Sequence, residues 1–500
     1  MNFMNRSSLE NVAGNVFAQA ELNPDKPAFL GVRKLTFKEL AVKVTCFAAK
    51  ISDVISDRDA IVILSFNDDC LEIIAFLACS MLGQRCSSVS RRNTISVWLR
   101  QVASVQGEWV LCDEDIPASD AYRTLRIQWS DLNTESSSVI FDNAADMESP
   151  FILVTSSGST GTPKAFYLSQ SMLSQRILQR IRFFQITPED VFLRVSSMSY
   201  IGSKVRALSA LSAGASVVIS PSQHPRELIA LMLEHSVTFI SMIVLQADQI
   251  MSFIHFEKAS VPHDIRVLEL SASSVTREFR EKIIKGLTAN VYVTYSTNET
   301  GAISIALPED VANIPGTVGM VLEDVKVRII DNKKQKLPDG STGLICVKTS
   351  QMTTNYLNSH HLSRYFTDGF FVTGDVGYID THSQLVHLGR ADDLMIVNGV
   401  NVYPAEIESQ IQAFPGILDV KAIAFNHPVM QSFPVCLVTT KAGILINEEE
   451  LIRFANEKLG NKAPRRFLFV DIIPRNDLGK IDWNALQSKI RDLLNKDTVR

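Results

Sequence analysis

Disulfides, membrane spans and a nucleic-acid-binding charge are what this sequence lacks first. Its cysteines, Cys46, Cys70, Cys79, Cys86, Cys112, Cys346 and Cys436, are odd in number and show no Cys-x-x-Cys or His-linked spacing. Neither a disulfide framework nor a zinc site is indicated, and reduced thiols are the expectation. The most apolar helical stretch, Ile73 to Leu82, is too short to cross a bilayer. Met1 to Ser8 has neither the apolar core nor the small-residue cleavage site of a signal peptide. With a formal net charge of -5 and no long basic run, nothing draws the chain generally to nucleic acid or anionic lipid. The expectation is a cytoplasmic protein with small-molecule partners, no nucleic acid and no membrane span.

What is present is ordinary for a globular chain: 500 residues, 46% hydrophobic and 21% charged, without repeats or low-complexity segments. That length predicts two or three domains. Leu9 to Leu22 has helical spacing, and Thr36 with Glu39 forms a capping box for a second helix. Strands at Ala60–Leu64, Trp109–Cys112, Phe151–Thr155, Val217–Ser220, Phe239–Val244, Val267–Leu270 and Val291–Thr294 then alternate with helical stretches. This order predicts an α/β fold, with mostly parallel sheets flanked by helices. Asn133 to Ser149 reads as a polar surface connection, and from Gly316 to about Tyr378 short strands and turns suggest a small β-rich subdomain. Beyond Arg390 come a helix at Pro404–Ala413, strands near Val420–Phe425 and Pro434–Thr440, and a helix at Asn447–Leu459. The best boundary falls near Gly389 to Asp392. It gives a domain over 1–390, with its β-rich part at about 316–388, and a smaller α+β domain over 391–500.

The chemistry centres on Thr155-Ser156-Ser157-Gly158-Ser159-Thr160-Gly161-Thr162-Pro163-Lys164. This stretch should leave a buried strand as a loop. Its hydroxyls, two glycines and closing lysine offer many donors to a polyphosphate. The order is not the Walker pattern, because the lysine follows a proline and no Ser or Thr comes next to hold Mg²⁺. Ser/Thr/Gly clusters are commonly plain surface loops, so the other motifs decide. They are Tyr295-Ser296-Thr297-Asn298-Glu299 after an apolar strand, Gly369-Phe370-Phe371-Val372-Thr373-Gly374-Asp375, Gly389-Arg390-Ala391-Asp392, the run Asp392 to Glu408, and Pro474-Arg475-Asn476-Asp477-Leu478-Gly479-Lys480. A carboxylate at a strand's end can hold Mg²⁺, a neighbouring aromatic can stack on adenine, and an aspartate in a tight turn can accept ribose hydroxyls.

In this order the motifs resemble those of the adenylate-forming superfamily, which includes acyl- and aryl-CoA ligases, peptide-synthetase adenylation domains and luciferases. The resemblance runs from about Leu9 to about Ile490. It implies a large N-terminal domain and a small mobile C-terminal lid hinged at Asp392. It further implies that Ser156 to Gly161 cradle phosphates, flanked by Thr155 and Lys164. Tyr295, Ser296 and the pair Ser271-Ala272 would lie beside the nucleotide, Glu299 would hold Mg²⁺ next to Asn298, Asp375 would anchor the ribose with Arg390 as its cationic partner, and Gly399 would border a pantetheine tunnel. Lys480 would be the adenylation lysine, bridging the substrate carboxylate and the α-phosphate. Ala165, Ser296 and Asn298 depart from the family's glycine, glycine and threonine, although an asparagine amide can still donate to a phosphate oxygen.

Ser196 to Gly214 resembles the family's pocket helix, with Tyr200 where a gating His or Phe often stands. Ile201 and Val205 leave no partner for an α-amino group. Ser271-Ala272 replaces a glycine pair, adding atoms where an acyl chain would pass, which suggests a short, flat or otherwise restricted acid. Lys204 and Arg206 could meet a second anionic group, but the commoner outcome is that they face solvent or pack at helix spacing. The implied function is ATP- and Mg²⁺-dependent activation of a carboxylic acid to an acyl-adenylate, followed by transfer to the thiol of CoA. Transfer to a carrier-protein phosphopantetheine, a degenerate nucleotide-binding member and luciferase-like oxidation remain alternatives.

Overall fold

The computed structural model describes residues 11–133, 146–156, 164–271, 275, 277–314, 316–354, 356, 365–393, 395–397, 400–402, 404–427, 431–441, 443–475, 481–482, 485–486 and 489–490. Most of the expected connection at Asn133 to Ser149 therefore lies outside the described residues.

Two sheets carry the chain as far as Arg390. The 6-stranded sheet has the order Arg123–Arg126, Trp109–Cys112, Val62–Ser65, Cys86–Ser88, Pro150–Ser156 and Lys164–Ser169. It is parallel except for the last pair. The 14-stranded sheet has a parallel centre built from Pro27–Gly31, Ser216–Ile219, Val191–Arg194, Phe239–Ile243, Val267–Ser271 and Val291–Thr297. From Gly301–Ala306 onward its neighbours are antiparallel. Thr317–Val321, Gln384–Arg390, Phe370–Ile379, Gly343–Thr349 and Val325–Ile330 continue the same sheet, so the β-rich segment is hydrogen-bonded onto the parallel one.

Successive strand residues point to opposite faces, and here both faces are apolar. Phe192, Val217, Phe239 and Val267 join one core, while Leu193, Val218, Ile240 and Leu268 join another. The first core also takes residues from helices Val12–Leu22, Phe37–Val54, Asp69–Leu82, Gln170–Phe184 and Ile201–Ser212, and from Val62, Leu64, Ile152 and Val154 of the other sheet. Helices Pro225–Glu234, Val244–Glu257 and Arg277–Gly286 cover the opposite face. Local signals held where they were strongest. The Thr36 hydroxyl accepts from the Glu39 amide at 3.2 Å, and the Glu39 carboxylate accepts from the Thr36 amide at 2.8 Å.

Beyond Arg390 a 3₁₀ turn at Ala391–Asp393 leads to the hairpin Met395–Val397 and Val400–Val402. A 3-stranded sheet of Ile417–His427, Gln431–Thr440 and Arg466–Phe469 follows, with helices Pro404–Gln412 and Glu448–Leu459. Met395, Ile407, Val420, Cys436, Leu451 and Phe467 form a separate core there. Among the described residues no helix is long and apolar enough to cross a membrane.

Candidate active site

The expected phosphate loop sits between two paired strands. Pro150–Ser156 and Lys164–Ser169 run antiparallel, with Thr155 opposite Ala165 and Ser156 opposite Lys164. Their joining segment 157–163, which holds Ser157, Gly158, Ser159, Thr160 and Gly161, lies outside the described residues. So do Ala272, Gly399 and Lys480.

The second motif ends a parallel strand, as expected. Val291–Thr297 carries Tyr295 inward with Ser296 exposed, and the chain then turns through Asn298 and Glu299 into Gly301–Ala306. This turn is fixed from beneath by Arg176 of helix Gln170–Phe184. Its guanidinium donates to the carbonyls of Asn298 and Glu299 at 3.0 Å each, and to that of Gln351 at 2.8 and 3.2 Å. Gly301 has φ +77, and a Cβ there would stand 3.1 Å from Arg176 Nε, so glycine suits both the backbone and the close approach. The Glu299 carboxylate is half-buried and accepts from the Tyr356 hydroxyl at 2.7 Å. The Tyr356 ring in turn packs edge-on to Phe166, 5.8 Å away, on the strand leaving the phosphate segment. Tyr356 thereby links the second motif to the first.

Asp375 differs from expectation in its setting. Rather than a tight turn, it occupies a bulge within strand Phe370–Ile379, where Val372 pairs with Cys346 and Val376 with Leu344. Three residues thus stand opposite one, which re-aims the carboxylate. Gly374, at φ +76, permits it, and a Cβ there would come within 2.8 Å of Arg390 Nη2. Asp375 is buried. It accepts from the Tyr295 hydroxyl at 2.6 Å and from Arg390 Nη1 at 3.1 Å, with His387 Nε2 at 3.6 Å. Burial penalises its charge, yet His387, Arg390 and Tyr295 together hold the carboxyl below its ordinary range. Burial and the facing carboxylate push the Tyr295 phenol well up, so it stays a donor. Arg390 Nη2 also lies 3.8 Å from Asp392, reaching from the sheet to the residue expected as the hinge.

Tyr200 is half-buried at the N-terminus of helix Ile201–Ser212. The two cations of that helix do not face solvent. Lys204 is fully buried, donating to Glu72 at 2.8 Å and to the Met198 carbonyl. Arg206 pairs with buried Glu269, which Arg180 also grips. Arg176, Tyr356, His387 and Glu269 were not singled out in the sequence. Glu269 alone left a trace there, as a lone carboxylate inside the apolar strand Val267–Ser271.

The fold and this convergence of motifs define a nucleotide-binding enzyme class, and the chain belongs to the AMP-binding enzyme family. Residues 16–357 match the AMP-binding enzyme family, and 406–480 match the AMP-binding enzyme C-terminal domain. It is similar to the 2-succinylbenzoate–CoA ligase of Enterococcus faecalis, at 25% identity over 95% of this chain and 98% of that one. It is also similar to the indoleacetate–CoA ligase of Aromatoleum aromaticum, at 24% identity over 92% and 94% of the two chains. The fold is that of the o-succinylbenzoate coenzyme A synthetase of Bacillus subtilis solved with ATP and magnesium ion. There the TM-score is 0.84 at 22% identity, covering 95% of this chain and 99% of that one.

Proposed function

We propose that the chain activates a carboxylic acid with ATP and passes the acyl group to the thiol of CoA. In the first step a carboxylate oxygen bonds to the α-phosphorus and the bond to the pyrophosphate oxygen breaks, leaving acyl-AMP and pyrophosphate. In the second, the CoA sulfur, losing its proton, bonds to the acyl carbon and AMP departs. The observation that carries this reading is the Tyr295–Asp375–Arg390 cluster, whose Tyr295 lies inside the matched span 16–357 and one turn of chain from Glu299. The CoA ligases among its relatives support the thiol acceptor.

In this reading Thr155 to Lys164 receives the β and γ phosphates, Asp375 accepts the ribose hydroxyls, and Tyr295 and Ser296 border the adenine with Ser271 and Ala272. Asn298 donates to a phosphate oxygen, Tyr200 gates the carboxylate, and Gly399 borders the path of the thiol. Residues 1–390 and 391–500 act as two lobes hinged at Asp392. Among the described residues no cluster of three or more His, Cys, Asp and Glu could cage a metal. Magnesium arriving with ATP needs less, one or two carboxylates beside phosphate oxygens, and half-buried Glu299 fits that need. When bound, the ion neutralises phosphate charge.

ATP–pyrophosphate exchange across a panel of aryl, short-chain, dicarboxylic and amino acids, followed by CoA consumption, tests the function. Acid-dependent exchange and CoA thioester formation are expected. Exchange with CoA inert and a carrier protein active would replace the acceptor, and no exchange with any acid would leave a binding protein. Within the site, Asp375→Asn keeps shape and removes charge. Its KM for ATP should rise about 10-fold or more, the worth of a charge-assisted hydrogen bond. An unchanged KM would remove Asp375 from the ribose.

A further inference from the structure

Strand Val267–Ser271 alternates, so Val267, Glu269 and Ser271 share the face that packs toward helices Gln170–Phe184 and Ile201–Ser212. On that face Glu269 is fully buried between two guanidiniums. Arg180 donates to both of its oxygens at 2.9 and 2.8 Å, and Arg206 does so at 3.0 and 3.3 Å. Two positive charges against one negative leave an unmatched positive charge. Arg180 is almost wholly enclosed, whereas the Arg206 side chain keeps 16% of its surface accessible. Arg206 Nη2 donates further to Ser271 Oγ at 3.1 Å. Its Nη1 makes no hydrogen bond among the described residues and lies over Gly202, two residues after Tyr200. A Cβ at Gly202 would stand 2.9 Å from that nitrogen, so glycine leaves the donor uncovered. A second, independent polar group is orphaned alongside. Thr294 pairs directly with Ser271 across the adjoining strand, and its Oγ1 is buried without a hydrogen-bond partner among the described residues, in a residue only 5% exposed. A buried hydroxyl left without a partner is costly. A rigidly held arginine and a neighbouring hydroxyl form the donor set that a carboxylate accepts well.

Resting on the acid-activation reading above, the geometry points to Arg206 and Thr294 as a subsite for a second carboxylate, which makes the substrate a compact dicarboxylic acid. Glu269 and Arg180 act as positioning residues: they hold the Arg206 fork in one orientation and leave its outer edge for the substrate. The activated carboxylate would lie toward Tyr200, and the distant one against Arg206.

The test is ATP–pyrophosphate exchange by the full chain with short aliphatic and aryl diacids, each beside its half-amide, which preserves size and removes one charge. For the best diacid, kcat/KM should exceed that of its half-amide by ~10–100-fold, the span of a charge-assisted pair. Arg206→Gln should bring this ratio close to parity through the KM of the diacid. Arg206→Lys, which keeps charge but loses the fork, should retain part of it, and Thr294→Val should lower it less than Arg206→Gln does. Equal use of diacid and half-amide by the unmodified chain, or equal losses for both in Arg206→Gln, overturns the subsite. The comparison on the unmodified chain decides the matter even if a variant fails to fold. Exchange with monoacids alone sinks the subsite and spares the acid-activation reading, whereas no exchange with any acid sinks that reading and the subsite with it.

Discussion

Lys480→Ala should lower ATP–pyrophosphate exchange by roughly 100–1,000-fold, the usual effect of removing one preorganised charge stabiliser. Thioester formation from presynthesised acyl-adenylate and CoA should fall far less. The asymmetry follows from the chemistry. In the first step negative charge gathers on the five-coordinate phosphorus and the departing pyrophosphate, and an ammonium bridging the carboxylate and the α-phosphate acts on that charge directly. In the second step the leaving group is AMP and the nucleophile is sulfur, so the same cation has little to stabilise. In the proposed two-lobe reading, Lys480 would reach the site as the lobe beyond Asp392 turns near the Arg390–Asp392 pair, which is 3.8 Å apart. Equal losses in both half-reactions would remove the lysine from the anhydride-forming step and give it a general binding role. Single-turnover assays of each half-reaction separate the two outcomes.

What the sequence disclosed was whatever the chain encodes over a few residues. The Thr36 and Glu39 capping box, three positions apart, formed as read. The strand Val291–Thr294 was legible because its apolar β-branched run ends in polar residues, and the same holds for Phe151–Thr155. What stayed hidden depends on partners distant in the chain. Lys204 at helix spacing looks like a solvated cation, and its burial rests on Glu72, 132 residues away. Tyr295 reads as an aromatic ready to stack on a base, yet its hydroxyl is committed to Asp375, 80 residues on. The setting of Asp375 is hidden for a similar reason. Thr-Gly-Asp has turn composition, and only pairing with Gly343–Thr349 on one side and Gln384–Arg390 on the other makes it a bulge inside a strand. Arg176 is the same case: a helix arginine that no local rule marks, holding the carbonyls around the proposed metal carboxylate.

Glu269→Gln should cost about 3–5 kcal/mol of stability, the range found when one partner of a buried ion pair is removed. The expectation rests on what stays behind. Arg180 and Arg206 would face each other with their shared counter-charge gone, and neither has a second carboxylate among its hydrogen bonds to the described residues. Burial alone would raise the Glu269 carboxyl, but the two guanidiniums outweigh it and hold the group well below the ordinary range. A carboxylate depressed in this way stabilises the fold fully above its unfolded pKa of ~4.3, and the contribution fades as pH falls below that value toward the folded one. Urea denaturation of the parent and the variant should therefore differ most at neutral pH and converge in acid. A gap that stayed constant from neutral to acidic pH would mean that the loss comes from packing rather than charge. Because Arg206 is oriented among the described residues by this carboxylate and Ser271, the variant should also lose selectivity between diacid and half-amide at temperatures where it remains folded. A destabilised variant with that selectivity intact would separate the buried triad from substrate choice.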